Sequence, residues 1–84
     1  MLDKYILLEQ YFRALPTSEE EVTLTFKRIE EILKDNLPPA ATADHQWWAN
    51  QRQGIQININ PWLDAGWMVE IANLQEQWVR FVRQ

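Results

Sequence analysis

The chain has 84 residues, 46% of them hydrophobic and 24% charged, with a formal net charge of −4. That length makes one domain, and five tryptophans among few glycines argue against disorder. The absence of cysteine excludes disulfides, zinc–thiolate sites and thiol nucleophiles, and the sign of the charge disfavours wrapping duplex DNA by bulk electrostatics.

Tyr5, Leu8, Phe12 and Leu15 fall on one helical stripe, which predicts a helix from Leu2 to about Leu15, stopped by Pro16. Residues 17–21 form a polar, acidic connection. Val22 to Thr25 alternates and is β-branched, so it reads as a strand. Thr25 can cap a second helix from Phe26 to about Asp35, burying Phe26, Ile29, Ile32 and Leu33, with Asn36 as a left-handed stop. Pro39 can open a third helix running to Asn50, because a first-turn residue needs no N–H. On that helix Trp47 is expected in the core and Trp48 on a partly exposed ledge, since neighbours on a helix point about 100° apart.

The next stretch gives conflicting signals. Residues 54–59 alternate with period two, whereas Asn60-Pro61-Trp62-Leu63-Asp64-Ala65-Gly66 has a cap, a first-turn proline and a glycine exit. A helical segment over roughly 57–65 is the reading adopted, with a strand over 55–59 as its rival. Trp67–Leu74 and Trp78–Val82 alternate around a polar turn, which predicts a hairpin. The order of elements suggests an α+β fold: a small winged-helix-like domain of three or four helices on a three-stranded antiparallel sheet, built from the early strand and the C-terminal hairpin.

Charge is unevenly spread. Residues 1–45 carry the whole excess of acid, and no acid lies between Asp44 and Asp64. That acid-free stretch is rich in amides and indoles, which can read partner edges without long-range charge. Trp48, Asn50, Gln51, Arg52, Gln53, Gln56 and Asn58, with Arg80 and Arg83 on the last strand, are therefore the candidate contact residues. Arginine can grip phosphate bidentately and glutamine can read adenine, but so few arginines imply modest affinity for DNA or RNA. Glu19, Glu20 and Glu21 form an alternative acidic docking site for a basic protein.

No set of residues converges on a reaction. His45 is the sole histidine and Ser18 the sole serine, and Glu30 and Glu31 point apart on their helix. A non-enzymatic protein without a cofactor or metal is expected. No apolar run is long enough to span a membrane and no charged-then-apolar leader opens the chain, so no membrane contact and a cytoplasmic location are expected.

Leu37-Pro38-Pro39-Ala40, Trp47-Trp48-Ala49-Asn50, the run from Trp62 to Val69, and Val79-Arg80-Phe81 form a series, preceded by Leu24-Thr25-Phe26 and Ile29-Glu30. The series resembles an uncharacterised small prokaryotic domain of unknown function with an LPP-A, WW-N, WL-AGW-V pattern, over about residues 22–83. The resemblance implies a small stand-alone protein, also found beside nuclease-type domains, and hence nucleic-acid work by association. Thr42, Ala43 and Asp44 stand where that pattern carries basic residues, which puts a phosphate grip there in doubt. The leading expectation is a binding module that contacts nucleic acid through residues 51–60 and the hairpin. The alternatives are an acidic protein-interaction module or inhibitor on a basic partner, and a small homodimer joined by exposed tryptophans or a sheet edge.

Overall fold

The computed structural model describes residues 4–50 and 60–84. In chain order they form α1 (Tyr5–Arg13), β1 (Glu21–Thr25), α2 (Phe26–Leu33), α3 (Pro39–Ala43), a 3₁₀ turn (His45–Trp48), α4 (Pro61–Asp64), β2 (Trp67–Asn73) and β3 (Trp78–Arg83). The strands make one antiparallel sheet in the order β1-β3-β2. The fold is thus α+β, with the early strand and the C-terminal hairpin sharing a sheet as expected. The winged-helix likeness stays at the level of element order. The described helix ahead of the hairpin is the single turn α4, whose Pro61 and Trp62 are buried.

Local chemistry explains most boundaries. The Thr25 hydroxyl accepts from the Arg28 N–H at 3.0 Å and caps α2. Asn60 does the same for α4, accepting from Leu63 N–H at 3.1 Å, with Pro61 in the first turn. Gly66, at φ +88°, turns the chain from α4 into β2. The left-handed residue after α2 is Lys34, at φ 60°, rather than Asn36.

The long third helix expected over 39–50 does not form. Asp44 is extended, at φ −138° and ψ 118°, and its carboxylate accepts from the Gln46 N–H at 2.9 Å. An Asp favours such a side-chain cap over continuing a helix. It therefore ends α3 and starts the 3₁₀ turn, which rotates the indoles. Trp48 becomes the core residue, at 2% exposure, and Trp47 is half-buried, the reverse of expectation.

One core lies between the helices and one face of the sheet. Phe12 of α1 meets Phe81 at 4.7 Å and Trp67 at 5.5 Å between ring centroids. Trp48 stacks between Phe26 at 5.5 Å and Trp62 at 5.7 Å, and donates its indole N–H to Ala41 O at 2.8 Å. That bond makes burial of the indole affordable, because an unmet buried N–H costs ~1–3 kcal/mol. Trp67, fully buried, has no hydrogen-bond partner for its own indole N–H among the described residues.

Candidate binding surface

Side chains alternate across a sheet, so β3 sends Val79 and Phe81 into the core and Trp78, Arg80 and Val82 to the opposite face. β1 adds Glu21, Thr23 and Thr25 to that opposite face, since they pair with Val82, Arg80 and Trp78. On β2, Met68 pairs with Val82 and Val69 with Phe81, and a bulge then intervenes before Ile71, which pairs with Arg80. The extra residue reverses the alternation. Ile71, expected on the same side as Trp67 and Val69, joins Arg80 on the outer face, and Ala72 takes the inward position opposite Val79.

The result is an outer sheet face carrying Met68, Ile71, Trp78 and Val82 around Arg80. Among the described residues, none of the four apolar side chains belongs to the core cluster or packs against it, and Met68, Trp78 and Val82 are half-buried. Ile71 is 42% exposed, and among the described residues it is the one large hydrophobic side chain classed as exposed. The Arg80 guanidinium lies 5.6 Å from the Trp78 ring and 3.6 Å from the Glu70 carboxylate. These contacts hold the Arg stem flat across the face and leave the pair close to neutral. Glu21 stands on one side of this face and Glu76 at the hairpin end, both exposed. At the same end His45 and residues 71–75 line an open hollow of about 430 Å³.

The other candidate contact residues have different surroundings. Asn50 is exposed, but its amide is committed to bonds within the molecule. Its Nδ2 donates to Val69 O at 2.8 Å, and its Oδ1 accepts from Val69 N–H at 2.8 Å and from Trp62 Nε1 at 3.0 Å. The Arg83 guanidinium donates to Glu19 O and Pro16 O, both at 2.8 Å, and covers the Trp67 ring at 4.6 Å. It fastens the connection between α1 and β1 to the sheet. Trp48 is buried rather than on a ledge. Gln51, Arg52, Gln53, Gln56 and Asn58, and the choice of helix or strand over 55–59, lie outside the described residues. Glu19, Glu20 and Glu21 are exposed.

Among the described residues no cluster of His, Asp and Glu could hold a metal ion. No helix among them is long and apolar enough to cross a membrane. The signal for the outer face was present in the alternation of Trp78, Arg80 and Val82. What the sequence did not carry was the bulge that brings Ile71 beside them.

A family model described as Domain of unknown function (DUF7662) matches residues 5–84. No curated protein and no solved structure matches.

Proposed function

The chain belongs to that family of unknown function, and we propose that it is a non-enzymatic module that binds a basic, amphipathic protein segment on the outer face of its sheet. The observation that carries this reading is a sheet face on which no described helix packs, with one exposed and three half-buried apolar side chains around one arginine that is already paired. Apolar area of this kind on a small monomer marks an interaction site. Indole and arginine side chains are the types that dominate binding energy at such sites. The charges near the face select the partner. Glu21, Glu70 and Glu76 flank it, Arg80 is its one described cation, and the whole chain stands at −4. A partner with apolar residues at its centre and lysines at its rim would be steered in and retained.

Contact with nucleic acid through 51–60 and the hairpin has less support. Asn50 and Arg83 are committed to internal bonds, and Arg80 is shared between Glu70 and Trp78. An acidic surface would repel phosphate.

The test is a pair of anisotropy titrations. One uses a labelled Leu/Lys amphipathic helix of about five turns, the other single-stranded and duplex oligonucleotides. The peptide should bind with a Kd on the order of 1–50 µM, and Ile71→Lys should weaken it about tenfold, which corresponds to ~1.4 kcal/mol. Ile71 is exposed, so the variant should keep the wild-type circular dichroism. Oligonucleotide binding tighter than peptide binding, or peptide affinity unmoved by Ile71→Lys, would overturn the reading.

A further inference from the structure

The two edges of the sheet differ. β3 is central, so β1 and β2 are the edges. On β2 the Asn50 amide occupies both the N–H and the C=O of Val69, as a neighbouring strand would, and the bulge follows immediately. Side-chain plugs and bulges are how edges are closed to further pairing. Among the described residues β1 has neither device.

The free groups of β1 follow from its register. Glu20 O accepts from Arg83 N–H and Phe26 N–H donates to Gln77 O, both at 2.9 Å. An antiparallel ladder alternates, so the even-numbered residues exchange bonds with β3, while Glu21, Thr23 and Thr25 turn their peptide groups to the free edge. The Thr25 carbonyl starts the hydrogen bonds of α2, as an N-cap carbonyl does. That leaves the N–H and C=O of Glu21 and Thr23, and the N–H of Thr25, without a hydrogen-bond partner among the described residues.

We propose that the occupant of this edge is a second copy of the chain, paired antiparallel about a two-fold axis at Thr23. Thr23 then faces Thr23, and Glu21 faces Thr25 of the other copy. Four backbone hydrogen bonds form: two between the threonines at the axis, and one from each Thr25 N–H to the opposing Glu21 carbonyl. The register also settles the electrostatics. The two Glu21 residues sit four residues apart along the ladder, ~14 Å at ~3.4 Å per residue, beyond the ~8 Å screening length of physiological salt. Each carboxylate therefore opposes a threonine hydroxyl rather than its own copy. The plugged β2 edge stops growth at two, so the contact is isologous and closed. It yields a six-stranded sheet in which the two outer faces become one. A single shared edge is a small interface, so the dimer should be weak, with a Kd on the order of 10–100 µM.

This inference stands apart from the outer-face reading, and its test reads mass rather than peptide binding. Thr25 has φ −73°, which a proline ring can adopt, and its N–H has no acceptor among the described residues. Thr25→Pro removes two of the four intermolecular bonds and adds ring bulk at the edge, while Thr25→Ala loses the same helix cap but keeps the N–H. By sedimentation velocity, wild type and Thr25→Ala should rise with concentration towards twice the 10.1 kDa chain mass. Thr25→Pro should stay monomeric. Wild type that remains monomeric to about 500 µM, well above the expected Kd, would overturn the proposal, as would a proline variant that dimerises like wild type. If the proline variant does not fold, amide exchange of the wild type decides. Thr23 and Thr25 should exchange several-fold more slowly as concentration rises about fifty-fold across the expected Kd, and rates independent of concentration would refute the pairing.

Discussion

Asn50 shows how a residue type can be read correctly and its use missed. An amide after two tryptophans suggests a helix end or a base contact, and both are local or external roles. The structure instead uses both ends of the amide to tie the strand β2 and the indole of Trp62 to one point. Replacing Asn50 by Ala should lower unfolding stability by about 1–3 kcal/mol, and Asn50→Asp should cost a similar amount because it loses the donor to Val69 O. Urea unfolding measures both; a loss below about 0.5 kcal/mol, the scale of an ordinary surface change, would contradict the clasp. The tryptophan pair carries the same lesson. That one of Trp47 and Trp48 faces inward was legible from their adjacency, but which one depends on Asp44 breaking the helix. At Asp35 the carboxylate accepts from the Asn36 N–H at 2.7 Å and then from Lys4 at 3.1 Å, and these hold its pKa below the ordinary 3.8. A depressed folded-state pKa stabilises above the unfolded value and is lost as pH falls through the folded one. Thermal melts of wild type and Asp35→Asn should therefore differ at neutral pH and converge on acidification below the carboxylate range; a gap that persists in acid would refute the assignment.

At the scale of elements, patterns with a strong period or a proline and a cap were readable: α1, β1, α2, the start of α4 and the hairpin strands. Elements set by one side chain's choice were not. Lys34 takes the left-handed position that Asn36 was expected to fill, because α2 ends with Leu33 and the chain must turn there. A Cβ at φ 60° is strained, so Lys34→Gly should raise stability by about 0.5–1 kcal/mol, read as a higher urea midpoint at unchanged slope. A lower midpoint would contradict the geometry. The bulge in β2 was likewise invisible in the alternation, yet it decides that Ile71 faces outward and Ala72 inward.

For the molecule as a whole, the sheet separates two chemistries. One face is sealed by aromatic rings from α1, the 3₁₀ turn and α4, and explains where the stability resides. The other carries Met68, Ile71, Trp78 and Val82 beside the exposed Glu21 and Glu76, and it is the face on which we propose that a basic, amphipathic partner docks. The residues first favoured for contact, Asn50 and Arg83, serve the first face and its connections. The most direct measurement is a ¹⁵N-labelled titration with the Leu/Lys helix. The account predicts shifts grouped on Met68, Ile71, Arg80 and Val82 and on the Trp78 indole N–H, with α1 and α2 unmoved. Shifts confined to the helices, or the same sheet resonances moving only with an oligonucleotide, would contradict it.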